Sequence, residues 1–181
     1  NFSSVLASSF SALFLFWSIV LFGRKAMKIT SEDQLTEERT WVLMGAGVVG
    51  ALSLTFSESA WFSAVEAEVY AMSSFFTAFV VWGMLKWEVI EDESKANRWL
   101  LLIFYMMGLS IGVHLLNLVT IPALALLYYF KKYQPTTWGV VATLLISLLI
   151  IFFINDLIIP GLPTVASYVE IYFVNSLRLP F

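Results

Sequence analysis

The sequence contains no cysteine, a single histidine, and charged side chains at only 13% of its 181 positions. Without cysteine no disulfide framework, thiolate nucleophile or Cys-ligated metal can form, and one histidine leaves too few nitrogens for an ordinary zinc site. No Ser/His/Asp triad can be assembled around it with any specificity. Ten Lys and Arg stand against 13 Asp and Glu, a net charge of −3. That balance offers no basic field to a phosphate backbone, so no nucleic acid is expected as a partner. What is present is apolar: 60% of the residues are hydrophobic and 17% are aromatic. A soluble domain has about a quarter of its residues charged, and so little polar surface cannot cover a core in water. Disorder is excluded on the same ground. The chain reads as an all-α integral membrane protein, a polytopic helix bundle whose solvent is the lipid bilayer.

The scarce charges cut the chain into runs near the roughly 20 residues that a crossing helix needs. The first run is Val5 to Phe22. A basic stretch from Gly23 to Lys28 and a polar loop to Thr40 follow, in which Ser31-Glu32-Asp33 and Thr36-Glu37-Glu38 carry helix-cap chemistry. A second span runs from Trp41 to Phe56 and a third from Ala71 to Trp87, with an amphipathic acidic loop at 57–70 between them. Glu88 to Arg98 is a charged loop. The run from Trp99 to Phe130 is too long for one crossing, and Asn117, Thr120 and Pro122 predict its break into a hairpin. Trp138 to Ile154 completes about six transmembrane helices. The domain reading is a transmembrane bundle over 1–154 and an extracytoplasmic interfacial tail over 155–181, with a turn at Pro160-Gly161-Leu162-Pro163. The sequence opens at Asn1 with neither an initiator Met nor a basic n-region, so the natural N-terminus is expected upstream.

Orientation follows from the Lys and Arg residues, because short loops rich in them stay cytoplasmic. Arg24, Lys25, Lys28 and Arg39 fall in the first loop, Lys86, Lys95 and Arg98 in the third, and Lys131 and Lys132 in the fifth. These are alternate loops. The segments 1–4, 57–70, 114–120 and 155–181 hold only Arg178 and are expected on the extracytoplasmic side. Trp41, Trp61, Trp87, Trp99 and Trp138 fall near span ends, as an aromatic belt requires.

Gly45-Ala46-Gly47-Val48-Val49-Gly50 satisfies the dinucleotide-binding spacing, but it lies inside an apolar span with no preceding strand. Helix packing is its expected role, shared with Gly108-x-x-x-Gly112, since small residues let helices approach closely in lipid. The acids Glu58, Glu66 and Glu68 lie among Trp61, Phe62 and Tyr70. Carboxylates there can bind a metal ion, orient a sugar hydroxyl or act as a base, or they can simply be solvated. Glu66 and Tyr70 are four apart and can share a helix face. His114 stands at the outer end of an apolar helix, with Ser110 and Asn117 completing a stripe at i, i+4 and i+7. Its imidazole can donate to a phosphate oxygen or only tie helices together. Asn155 and Asp156 are expected on the same side.

The blocks Phe56-Ser57-Glu58 through Glu66-Ala67-Glu68-Val69-Tyr70, Gly108 through His114-Leu115-Leu116-Asn117 to Pro122, and Val174-Asn175-Ser176-Leu177 with Pro180-Phe181 carry a resemblance. Over essentially the whole chain they resemble a bacterial membrane family, chiefly of Bacteroidota, once catalogued as a domain of unknown function. That family is described as protein O-mannosyltransferase-like and grouped with the GT-C glycosyltransferases. The resemblance implies transfer of a sugar from a polyprenyl-phosphate carrier to an exported protein acceptor, on the periplasmic side of a bacterial inner membrane. It also implies a longer chain, with the catalytic acid in a first extracytoplasmic loop upstream of Asn1. Glu66, Glu68 and His114 are then supporting candidates around the reaction centre, and Glu58, Tyr70, Ser110 and Asn117 are substrate-binding candidates. A divalent metal ion is the one implied cofactor, at Glu66 or Glu68. The alternative is a transporter or a non-catalytic scaffold subunit. A transporter should show internal repeats and charge near the midplane, which are not seen, whereas a scaffold needs only the packing.

Overall fold

The computed structural model describes residues 2–66 and 69–177, so Glu68, Arg178 and Pro180-Phe181 lie outside the described residues. The fold is all-α, with no strand among the described residues. Its helices are α1 (Phe2–Ala26), α2 (Glu37–Thr55), α3 (Glu58–Val65), α4 (Val69–Glu88), α5 (Glu93–Val113), α6 (Ile121–Lys132), α7 (Thr137–Phe152) and α8 (Ile159–Leu177). The chain divides into two compact units, residues 1–120 and 121–181.

Helix starts follow the polar punctuation of the sequence. Thr36 caps α2 by accepting the Arg39 N–H, Ser57 caps α3 by accepting that of Ala60, and Asp92 caps α5 by accepting those of Ser94 and Lys95. Five helical stretches are long and apolar enough to cross a membrane, and a sixth arises if α2 and α3, bent by 61°, count as one span. The expected second span is the short one. Past Glu37, Glu38 and Arg39, the uncharged part of α2 from Thr40 to Thr55 rises only about 24 Å, less than the ~30 Å hydrocarbon layer.

In the first unit α1 and α4 run parallel, since Phe10 meets Phe75, Phe14 meets Phe79 and Trp17 meets Trp82 at centroid distances of 6.2, 5.2 and 5.5 Å. Ser4, Ala7, Ser11, Phe14 and Ser18 form the buried stripe of α1, small enough to bring it close to its neighbours. Ser11 and Ser18 each donate to the carbonyl four residues back, at 2.8 Å, so their burial leaves no donor unsatisfied. α2 runs antiparallel to α1: Gly47 lies against Phe16 and Val20, and Gly50 against Ile19. α5 runs antiparallel to α4, with Trp99 edge-on to Trp82 at 5.5 Å and Ile103 against Gly83. The start of α1, the end of α2, α3, the start of α4 and the end of α5 therefore share one end of the unit. The opposite end holds the Lys25–Glu88 ion pair, the Arg24–Glu32 pair at 2.9 Å, Lys86, Lys95 and Arg98.

Large apolar side chains face outward while hydroxyls lie inside. Leu101, Phe104 and Tyr105 on α5 are each more than 60% exposed, whereas Ser73, Ser110 and Asn117 are buried. Water would reject that arrangement and lipid accepts it.

Several expectations change. Gly47 and Gly50 do pack against α1, but Gly45, Gly108 and Gly112 have nothing within 4 Å of a built Cβ, because their faces of α2 and α5 point away from neighbouring helices. Trp87 is fully buried rather than part of an interfacial belt, since the last turn of α4 turns it inward. Pro160 to Pro163 form no turn: they lie in α8, with Pro163 inside the helix. A π-helical segment, Phe153–Ile158, precedes them, and Thr164 Oγ1 donates to the Pro160 carbonyl at 2.9 Å. The widened turn accommodates the amide that Pro160 lacks, while the Thr164 hydroxyl bonds the Pro160 carbonyl and not the Ile159 carbonyl that Pro163 leaves.

In the second unit α6 and α7 form a hairpin locked by Tyr129. Its hydroxyl accepts the Thr136 N–H at 3.1 Å and donates to the Gln134 carbonyl at 3.2 Å. Thr137–Ser176 is then helical throughout. Asn155 and Asp156 lie exposed in the π-helical segment, 3.4 Å apart.

Candidate functional site

The polar residues of the first unit collect in two compartments that meet at the start of α4. The first is centred on His114. α5 ends at Val113, and His114 caps it in extended conformation, its N–H donating to the Ser110 carbonyl at 2.8 Å. The imidazole Nδ1 accepts the Leu116 N–H at 3.0 Å. A neutral ring that accepts at Nδ1 carries its proton at Nε2, so the outer edge of His114 is a hydrogen-bond donor. Tyr70, from the first turn of α4, lies against this ring with centroids 5.6 Å apart and planes at 50°.

Beneath the pair lie buried hydroxyls and an amide. Ser110 is fully buried on α5, Asn117 is 1% exposed in the 3₁₀ turn Leu115–Thr120, and Ser73 is 1% exposed on α4. Thr120 Oγ1 donates to the Asn117 carbonyl at 2.7 Å and lies 3.3 Å from its Oδ1. Ser73 Oγ, Ser110 Oγ and Asn117 Nδ2 find no hydrogen-bond partner. The antiparallel register of α4 and α5 puts Ser73 and Ser110 at the same level. Orphaned buried polar atoms carry a desolvation cost and cluster where a fold serves something besides stability.

The expected stripe of Ser110, His114 and Asn117 along one helix is therefore broken. Capture of the Leu116 amide by His114 ends α5 and starts a new turn, which brings Asn117 beneath the histidine by a different route. The shared face of Glu66 and Tyr70 is lost in the same way. Glu66 caps the C-terminus of α3, its N–H donating to the Phe62 carbonyl at 3.0 Å, while Tyr70 belongs to α4. The expected acidic loop is thus a short helix and the start of another. Glu58 occupies the first turn of α3, where the helix dipole favours a carboxylate, and lines a shallow recess with Phe56, Trp61 and Phe62. Among the described residues no group of three or more His, Asp or Glu side chains converges as a metal-binding set. The divalent ion that the resemblance implies finds no donor set among them.

The second compartment was not foreseen from the sequence. It is a cavity of about 300 Å³ bounded by α1, the end of α2, α3 and α4, and Ser8, Ser11, Ser57, Ser63, Ser74 and Trp61 form much of its wall. The signal was present as Ser/Ala runs: Ser8-Ser9-Phe10-Ser11-Ala12 in α1, Ser57 to Ala64 around α3, and Ser73-Ser74 in α4. Each run reads alone as packing; only the fold brings them together.

A bundle of apolar-faced helices with hydroxyls, an imidazole and carboxylates gathered at one end defines a multi-pass helical membrane protein. The family can be stated more closely. The chain belongs to the family of the protein O-mannosyl-transferase TMEM260 N-terminal domain, whose model matches residues 1–137. No curated protein and no solved structure matches it.

Proposed function

We propose that this chain is the membrane core of a GT-C-type bacterial glycosyltransferase that moves a mannosyl unit from a polyprenyl-phosphate carrier to a hydroxyl of an exported protein. The polar end of the first unit faces the periplasm, which agrees with the Lys and Arg residues at the opposite end. Residues 1–154 form the transmembrane bundle, with 57–70 at its extracytoplasmic surface. Thr137–Ser176 is about 60 Å long if straight, more than one crossing can hold, and the proposal keeps 155–181 at the outer interface.

The observation that carries the reading is His114, with Nδ1 held by the Leu116 amide and its ring set against Tyr70. Displacement at an anomeric carbon leaves negative charge on the departing lipid phosphate, and a donor fixed beforehand stabilises that charge without reorganising. His114 Nε2–H supplies it. Tyr70 positions the ring, and Ser110 and Asn117 support the turn beneath it. Glu58 and Glu66 contribute acceptors for substrate hydroxyls at the same end. The metal proposed for Glu66 or Glu68 is given no step.

Replacing His114 with Ala in the complete protein, with transfer and expression both followed, tests this. Expression should persist while transfer of mannose from the carrier falls about 10- to 100-fold. Unchanged transfer would remove His114 from the site.

A further inference from the structure

The serine-lined cavity has a polarity that its composition alone does not reveal. Ser9, Ser11, Thr55 and Ser63 each donate their hydroxyl proton to the carbonyl four residues back, and Ser57 donates to the Leu54 carbonyl, all at 2.7 to 2.9 Å. A hydroxyl has one proton and two lone pairs, so these five oxygens can only accept, Ser57 with one lone pair already taken by the Ala60 N–H. Ser8, Ser59 and Ser74, which also line the cavity, can donate as well as accept. Among the described residues no charged side chain lines it. A phosphate finds no cation among these residues, only neutral hydroxyls. A ligand rich in O–H donors is well served, and the indole of Trp61 supplies an apolar wall for the flat face of a ring. The volume of about 300 Å³ is at the lower end of small-ligand sites, suited to one compact ring rather than an extended peptide.

Resting on the glycosyltransferase reading, we infer that this cavity holds the sugar ring of the lipid-linked donor, apart from the phosphate. The ring hydroxyls donate to the serine oxygens of α1 and α3, and its C–H face packs on Trp61. Ala71 and Ser74 line the cavity on α4, and the adjoining Tyr70 packs tilted against His114. Sugar and phosphate are thus recognised at neighbouring faces of the first turns of α4: neutral hydroxyls around Ala71 and Ser74, an imidazole donor beside Tyr70.

The test compares binding of short-chain mannosyl polyprenyl phosphate, the same polyprenyl phosphate without sugar, and methyl mannoside to the complete protein by calorimetry. The variants are Ser63→Leu, which fills the cavity, and the milder pair Ser63→Ala with Ser74→Ala. Both should weaken the mannosyl lipid and methyl mannoside about tenfold or more and leave the bare lipid phosphate unchanged. Equal loss for both lipids, or no loss for either, overturns the assignment, as does displacement of methyl mannoside binding by none but an acceptor peptide. If the wild type transfers no mannose yet binds methyl mannoside in a way both variants abolish, the sugar site stands and the transferase reading fails.

Discussion

Tyr70 and His114 meet ring to ring, 5.6 Å between centroids, although one begins α4 and the other ends α5. The contact closes the two helices at their polar end and orients the imidazole whose Nδ1 is already engaged. Tyr70→Leu should therefore lower mannosyl transfer about three- to tenfold, in line with an aromatic pair worth roughly 0.5–1.5 kcal/mol. Tyr70→Phe, which keeps the ring, should restore it. Equal loss in both variants, measured by transfer at saturating donor, would assign the role to the phenol hydroxyl instead.

Glycines within one sequence should differ in sensitivity. A Cβ on Gly47 would sit 2.7 Å from the Phe16 ring and 3.1 Å from Val20, and an aromatic ring packed between helices cannot yield cheaply. Gly47→Ala should destabilise by about 1–3 kcal/mol. Gly108→Ala meets nothing within 4 Å and improves helix propensity, so it should be neutral or stabilising by up to about 1 kcal/mol. Thermal unfolding in detergent separates the two.

Ser73 Oγ is buried without a hydrogen-bond partner. Removing it as Ser73→Ala should leave stability unchanged or raise it by about 1 kcal/mol, because an unsatisfied hydroxyl is lost with only a small change in volume. A fall in thermal stability beyond 1 kcal/mol would show that the hydroxyl is satisfied in the membrane.

These 181 residues hold no cysteine, so single cysteines introduced into them report topology directly. Glu58→Cys and Glu91→Cys lie at opposite ends of the first unit. A membrane-impermeant maleimide should label the first in intact spheroplasts and the second only after lysis. Labelling of both from outside would refute the proposed orientation.

The helices were legible because charge in lipid is costly: Arg24 to Lys28 and Lys131-Lys132 mark ends that the structure retains. The loop expected over Glu88 to Arg98 instead shrinks to 89–92, because Asp92 caps α5 and Glu93 to Arg98 form its first turns. The end of α5 was half legible. Sequence spacing singled out Ser110, His114 and Asn117, but it cannot show that an imidazole takes an amide from the backbone and breaks the helix carrying it. Pro160 and Pro163 misled because a helix in lipid tolerates proline where a turn would leave still more backbone groups unsatisfied. The cavity was illegible for a different reason. Its serines come from three helices, and the direction of each hydroxyl is set by its own backbone, which no spacing records.

The inward hydroxyls Ser11 and Ser18 bond their own helix, so they do not tie α1 to α4. Apart from the exposed Lys25–Glu88 pair, alignment of these two parallel helices falls to rings meshing as teeth: Phe10, Phe14 and Trp17 against Phe75, Phe79 and Trp82. Phe14 already touches both Phe75 and Phe79. A slip of one helical turn, about 5.4 Å, would bring like teeth together again. Ser8, Ser9 and Ser11 of the serine cavity stand on α1, so the height of that wall is set by which rings mesh.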